Sequence, residues 1–535
     1  MISVTLDYVI IGAGPAGLQL AAALEADGRH DYLVLEAAGG PGAFFVRYPR
    51  HRQLISINKP HTGTDDPELN LRHDWNSLLS DDPALRFTRY TERYFPDADV
   101  MVSYLADFAE KTGVRVRYDS PVTSVSKQEG IFEIEAGETY RARRLIVATG
   151  VSKTYRPDIP GFELAEGYDE MSVDPRDYLD QKVLVIGKGN SAFETADALM
   201  ETTTLIHVAG PSSVRMAWRT HYVGHLRAVN NNFLDTYQLK SANAILDGTI
   251  RSIEREGDGY KVTFSFSRVD EVVKELHYDR VLACTGFRFD DSVFDETCRP
   301  ELAVQGRFPA QTEAWESVNV PGLYFAGTLS QQRDFKKSTN GFIHGFRYAV
   351  RALHRILAQR YDRTPWPAAN LDGTPTAIAD AIIARVNRTS ALWQQFGVLA
   401  DVVTVAGGRA RYHEEVPVEY FARHGLVTED HDYGHAFVVT LEYGPDHDQV
   451  DPFDISVRRI AQDTVGQAHD AAYLHPVIRY HRGGEVVATH HLAENLENEW
   501  NRPGVHVEPL TAFLESCLSG PPSRDRARTS GGVRA

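Results

Sequence analysis

Cysteine is scarce in this chain: three among 535 residues, Cys284, Cys298 and Cys517. None falls in a CxxC pair or a spaced metal set, which excludes a disulfide-stapled scaffold and a structural zinc module. Long apolar runs are missing too. No stretch reaches 18 uninterrupted apolar residues, so no bilayer-spanning helix is expected. Positive charge is outweighed, with 56 Lys plus Arg against 73 Asp plus Glu and a net charge of −17. A chain this acidic is a poor partner for nucleic acid or an anionic membrane surface. The remainder is the composition of ordinary globular protein, 42% hydrophobic and 24% charged. A strand-like segment starts almost at Met1 and leaves no room for a signal peptide, so a cytoplasmic protein is expected.

The N-terminus carries a complete nucleotide-binding pattern. The apolar run Leu6-Asp7-Tyr8-Val9-Ile10-Ile11 reads as a buried parallel strand. It enters Gly12-Ala13-Gly14-Pro15-Ala16-Gly17, and an Ala/Leu-rich helix follows. Gly12 permits the tight turn, Gly14 lets a pyrophosphate approach the backbone, and Gly17 lets helix and strand pack closely. The pyrophosphate then meets the free N–H groups of a helix N-terminus. A second strand, Tyr32-Leu33-Val34-Leu35, ends at Glu36, placed to accept hydrogen bonds from a ribose diol.

The pattern recurs. Lys182-Val183-Leu184-Val185-Ile186 enters Gly187-Lys188-Gly189-Asn190-Ser191-Ala192, and Leu205-Ile206-His207-Val208-Ala209 follows without a terminal acid. Arg215 and Arg219 come shortly after. Arginines in place of a carboxylate favour a 2′-phosphate, hence NADPH over NADH; the plain alternative is a solvated face. Each motif is followed by short strands: 114–118, 122–125 and 131–135 after the first, 250–255, 261–267 and 272–277 after the second. Each unit then closes on a strand ending in Ala148-Thr149-Gly150 or Cys284-Thr285-Gly286. The expected fold is therefore α/β, with two nested Rossmann-like dinucleotide-binding domains and a C-terminal α+β extension. The expected boundaries are 1–165 and 288–362 for the first dinucleotide-binding domain and 166–287 for the inserted second one. Residues 363–519 form the extension, expected as a cap or an oligomer surface, and 520–535 read as a disordered tail. In the extension a helix is expected over 376–396 and strands over 437–443 and 477–480. Its polar clusters, Glu414-Glu415, His475 and His490-His491, match no metal template, and no metal is expected.

The order of these motifs resembles the two-dinucleotide-binding-domain flavoproteins, in which the first fold holds FAD and the inserted one NADPH. Val320-Pro321-Gly322-Leu323-Tyr324-Phe325-Ala326-Gly327 is similar to the strand that returns to the flavin in that superfamily, with Thr328 where an Asp is usual. The helix entering at Gly341-Phe342-Ile343-His344-Gly345 would lie against the flavin. The disulfide reductases of that superfamily carry a CxxC, and the Baeyer–Villiger and dimethylaniline monooxygenases a FxGxxxHxxx fingerprint; both are absent. A narrower likeness runs through Asn70 to Leu79, Gly187 to Glu194, Thr220 to Gly224, Leu234 to Ser241 and Gly341 to Ala352. These segments resemble the group that includes FAD-dependent oxidoreductase domain-containing protein 2, with the single-component flavin-dependent halogenases as its relatives.

That resemblance implies an NADPH- and FAD-dependent monooxygenase working through a flavin C4a-hydroperoxide on a small aromatic substrate, such as an indole or phenol, with dioxygen. The halogenase branch makes halogenation of that aromatic ring, bromination first, the most specific expectation, and adds bromide or chloride and a lysine that guides hypohalous acid. Lys240 is the candidate, with Lys59 as rival; the plain alternative for Lys240 is a surface side chain. Glu194, read as opening the second nucleotide helix, would fix Lys240 or favour the helix N-terminus. A hydroxylase or N-hydroxylase that uses no halide, and a non-catalytic NADPH-binding redox sensor, are the alternatives. A homodimer is one assembly open to such a chain.

Overall fold

The computed structural model describes residues 5–236, 242–267, 272–426, 433–447, 449–451 and 454–519. Two compact units result: Met1–His354 with His447–Val457, and Arg355–Asp446 with Arg458–Ala535.

The first unit holds two seven-stranded sheets. In one, Val116–Arg117, Tyr32–Leu35, Thr5–Ile11 and Thr139–Val147 lie side by side in parallel. Ile11 is paired with Leu35 on one side and Val147 on the other. Val9 and Ile10 are fully buried, as a strand covered on both faces requires. Ile131–Glu135 and Ser124–Gln128 extend this sheet as an antiparallel meander. In the other sheet Lys182–Ile186 lies between Leu205–Gly210 and Arg280–Ala283. Asn243–Glu256 pairs in parallel with Leu205–Gly210 at its start and, from Gly248 on, antiparallel with Gly259–Phe266, with a bulge at Ile250/Ser252. The chain returns to the first sheet at Leu323–Phe325, which runs parallel to Thr139–Val147. One sheet is thus completed only after the other has been built.

The second unit is a six-stranded antiparallel sheet with strand order Ala369–Asp372, Arg409–Pro417, Leu399–Ala406, His435–Glu442, His475–Arg482 and Glu485–His491. The helices Pro375–Arg388 and Glu508–Leu518 contact each other within it. The single helix expected over 376–396 is two: Pro375–Arg388 stops at Thr389, and a short turn, Ala391–Gln394, follows. Thr389 is extended and its hydroxyl accepts a bond from Leu392 N at 3.2 Å, so a local side-chain bond replaces the helical ladder. Glu414 and Glu415 serve an ion network: Arg385, buried, meets Asp401 at 3.1 Å, Glu414 at 3.2 Å and Glu415 at 3.6 Å. His475 Nε2 lies 3.0 Å from His491 Nδ1. Among the described residues no three His, Cys, Asp or Glu side chains converge in a way that would hold a metal ion, and no helix is long and apolar enough to cross a membrane.

Candidate active site

Each glycine of the first turn does a different job. Gly12 sits at φ +103, where L side chains are strained, and a Cβ there would lie 2.9 Å from the Ala148 carbonyl oxygen. At Gly17 a Cβ would lie 2.0 Å from the Gly12 carbonyl oxygen, so helix and strand touch through backbone. Gly14, by contrast, has nothing within 4 Å of its Cβ position. It stands at the N-cap of the helix Pro15–Ala26, with Pro15 in the first turn where a missing N–H costs nothing. The open space above Gly14, facing unpaired amides, is a cradle fitted to a pyrophosphate. Glu36 is buried at the end of its strand, where its Oε2 accepts from Ala13 N at 2.7 Å and its Oε1 from Ala38 N at 3.0 Å. A carboxylate has lone pairs beyond those two bonds, so a ribose diol still fits. Gly327 closes the far side: its Cβ would lie 2.7 Å from that of Ala16. Thr149 and Gly150, the latter at φ +65, follow directly on the central strand Thr139–Val147.

The second turn repeats the arrangement. Gly187, at φ +126, packs against Cys284, whose carbonyl oxygen would be 2.2 Å from a Cβ. Gly189, like Gly14, faces open space. Ala192 replaces the third glycine and is fully buried, and Ser191 lies in the first turn of the helix Asn190–Leu199. The Asn190 side chain is engaged by protein rather than left for the dinucleotide. Its amide donates to His225 O at 2.9 Å, and its Oδ1 accepts from Arg227 N at 3.0 Å and Asn230 Nδ2 at 3.2 Å. Lys188, its side chain 7% exposed, is ion-paired with Asp247 and donates to Ser212 O at 3.0 Å. Arg219 lies 3.8 Å from Asp451. Arg215 is exposed and meets no carboxylate among the described residues. It adds to the field that, after burial, pushes down the pKa values of Lys336 and His225.

The candidate catalytic residues separate. Lys240 lies outside the described residues. Lys59 is exposed, its backbone bridging to His73 O at 3.2 Å. Glu194 sits in the second turn of its helix, not the first, so the expected support of the helix N-terminus falls away. Only 8% exposed, it accepts a hydrogen bond from the Tyr168 hydroxyl. That hydroxyl in turn accepts from Arg50 N at 3.0 Å. Burial pushes the Glu194 carboxyl up to about 7, against a smaller lowering by the Tyr168 bond.

Sequence reasoning missed the groups that join the two turns. Arg347, with no exposed surface, donates to the carbonyls of Leu71 at 2.8 Å, Asp74 at 3.0 Å and Ser77 at 2.9 Å. Asp74 accepts from Asn76 N and Ser77 N, giving the loop its shape. This loop holds Trp75, whose ring stacks on His344 at 4.2 Å between centroids and 23° between planes. The Arg227 guanidinium lies 5.1 Å over the Trp75 ring. His344 is 1% exposed and neither of its ring nitrogens has a hydrogen-bond partner among the described residues. Burial, then the Arg347 and Arg227 charges, hold its pKa well below 6.5, so the imidazole is neutral. Unpaired polar atoms in such a place cost about 1–3 kcal/mol each. A charged residue, Arg347, three positions after His344 in the otherwise uncharged run from Gly341, was the available signal.

A family model described as pyridine nucleotide-disulphide oxidoreductase matches residues 9–327. FAD-dependent oxidoreductase domain-containing protein 2 of Mus musculus is 40% identical over 566 aligned residues, which cover 96% of this chain and 84% of that protein. Indole-3-pyruvate monooxygenase YUCCA1 of Oryza sativa subsp. japonica is 28% identical over 257 residues, covering 45% of this chain and 58% of that one. The solved structure of a flavin-containing monooxygenase from Stenotrophomonas maltophilia shares the fold, with a TM-score of 0.51 and 20% identity over 66% of this chain and 98% of that chain.

Proposed function

The chain belongs to the pyridine nucleotide-disulphide oxidoreductase family and to the group of FAD-dependent oxidoreductase domain-containing protein 2, and from that premise we propose that it is an NADPH- and FAD-dependent monooxygenase of a small aromatic substrate. The observation that carries the reading is the pair of open cradles at Gly14 and Gly189 within one unit. A redox centre of paired cysteines gains no support, since Cys284, Cys298 and Cys517 are all free and buried. The monooxygenase names of the rice and Stenotrophomonas proteins support the oxygenase reading, and the indole-3-pyruvate in the former supports a substrate that carries an aromatic ring. Nothing at Lys59, which is exposed, favours the halide branch.

In this reading Gly14 and the first amides of the helix Pro15–Ala26 hold the FAD pyrophosphate, and Glu36 holds its ribose. Gly189 and the helix Asn190–Leu199 hold NADPH. The bound flavin supplies hydride acceptance and oxygen activation. The chain orients the reactants: Lys188 and Asn190 fix the second turn, and Arg347 fixes the Trp75 loop beside it. Oxygen consumption and NADPH oxidation with a panel of indoles and phenols, with and without bromide, test the proposal. Oxygenated products independent of bromide are expected. Failure of NADPH to bleach the bound flavin would overturn it.

Specificity for the 2′-phosphate falls to Arg215, since Arg219 already faces Asp451. Arg215→Ala should lower the NADPH-to-NADH preference by about tenfold or more, a charged hydrogen bond contributing about 1.5–3 kcal/mol. Arg219→Ala should change it little. Steady-state kinetics with both nucleotides decide, and an unchanged ratio in Arg215→Ala removes the assignment.

A further inference from the structure

The nucleotide folds make no use of the histidines of the second unit, and two of these histidines line a cavity. It lies at one end of the six-stranded sheet, where the strand His435–Glu442 ends and His475–Arg482 begins. Its volume is about 140 Å³, and its walls include Glu442, Tyr443, Ala471, His475, Val477 and His491. All six belong to the second unit. Strand pairing gathers the polar ones. Glu442 lies opposite His475, and His491 lies opposite Val477. Side chains two apart on a strand share a face, so His475, Val477 and Arg479 stand together with Glu442 and His491.

The charges of this face cancel, and its imidazoles point their protons one way. Arg479 holds the Glu442 carboxylate through both oxygens. Burial holds the two imidazoles below their ordinary pKa, His491 at about 4, so both are neutral at pH 7. His475 is 2% exposed, and its Nδ1 lies 2.8 Å from the Tyr473 carbonyl, which can only accept. The His475 proton is therefore on Nδ1, and its Nε2 accepts from His491 Nδ1 at 3.0 Å. His491 Nε2 is left as a lone pair, with no hydrogen-bond partner among the described residues. The cavity thus offers one acceptor, no net charge, and walls of ring and methyl groups. A cavity of about 150 Å³ admits benzene, so the room here suits one six-membered ring and little more. We propose that this cavity binds a small uncharged aromatic molecule carrying an O–H or N–H group, the donor meeting His491 Nε2. The site is built wholly from the second unit and does not rest on the FAD reading above.

Phenol is the probe, titrated into the whole chain labelled with 15N-histidine and read by the imidazole nitrogen resonances. Those of His491 are the ones missing from His491→Asn, whose amide stands in for Nδ1 against His475 and leaves nothing at Nε2. Phenol should move the His491 Nε2 resonance of wild type. Benzene, which fits but donates nothing, should bind about fivefold more weakly. In His491→Asn the His475 resonance still reports occupancy, and there phenol should bind no better than benzene. A His491 Nε2 resonance that phenol never moves would overturn the proposal, the cavity then holding water only. Equal affinities of phenol and benzene for wild type would refute the hydrogen bond that defines the site. If His491→Asn does not fold, Val477→Ile, one methylene larger at the cavity wall, takes its place. The histidine shifts induced by phenol must then need several times more phenol, and an unchanged titration overturns the site. Phenol acting only as a substrate at the flavin would leave both histidines unmoved, so failure here is distinct from failure of the monooxygenase reading.

Discussion

Gly14→Val should yield a folded, colourless protein. The substitution meets no strain, because Gly14 has φ −77 and ψ −178, extended backbone open to any residue. It meets no protein atom either, since nothing lies within 4 Å of its Cβ position. The branched side chain occupies only the space into which a pyrophosphate must come. Hydrogen bonds to a charged phosphate contribute about 1.5–3 kcal/mol each, so losing that approach should weaken FAD by on the order of a hundredfold or more. The melting curve of the apoprotein should match that of wild type stripped of flavin. Gly17→Val is the contrasting control: its side chain would be driven into the Gly12 carbonyl, and the fold itself should fail. The ratio of flavin to protein absorbance, with circular dichroism, separates the two. A yellow Gly14→Val would place the FAD elsewhere.

The second large effect belongs to Glu194 and depends on pH. Its carboxyl is pushed from 4.5 to about 7 by burial in the folded state. Between those values the native state binds a proton that the unfolded chain has released, so stability falls as pH rises across the interval. Glu194→Gln keeps a group that can accept from the Tyr168 hydroxyl and never ionises. The variant should match wild type below pH 4.5 and be more stable above pH 7, by roughly 3 kcal/mol at full effect. Urea unfolding at pH 4.5 and 8 measures this. Equal gains at both pH values, or a loss at pH 8, would show that the carboxylate is compensated by a partner in the fold.

Much of the architecture was legible because backbone chemistry leaves a mark in sequence. Gly12, Gly17 and Gly187 are glycines for steric reasons, and Gly14 and Gly189 for access, so spacing alone revealed both turns. The edge strands and their alternation gave the meanders; Ile131–Glu135 has the expected limits, whereas Asn243–Glu256 begins seven residues before the expected strand at 250. Side-chain partnerships were illegible. Arg219 reads as a phosphate ligand until Asp451, more than 200 residues on, is seen beside it. Glu414 and Glu415 read as a polar cluster until Arg385 occupies them. Leu399–Ala406 is a strand absent from the expected set; its Asp401 is buried with Arg385 and Tyr412 at 3.1 and 3.0 Å. Trp75, Arg227 and His344 come from three distant segments, and no local pattern announces that they stack.

The Arg347 anchor also sets a timetable for biosynthesis. Its carbonyl partners at Leu71, Asp74 and Ser77 precede it by 276, 273 and 270 residues. At about 5–20 residues per second, the ribosome needs roughly 15–55 s to deliver the arginine after the loop has emerged. The strand Leu323–Phe325, which completes the first sheet, is almost as late. The inserted sheet, from Glu166 to Ala283, has all its strands about 40 residues earlier, roughly 2–8 s at that rate. During translation the inserted module is therefore ready first, while the N-terminal strands wait with the Leu145–Val147 end of their central strand unpaired on one side until Leu323–Phe325 arrives.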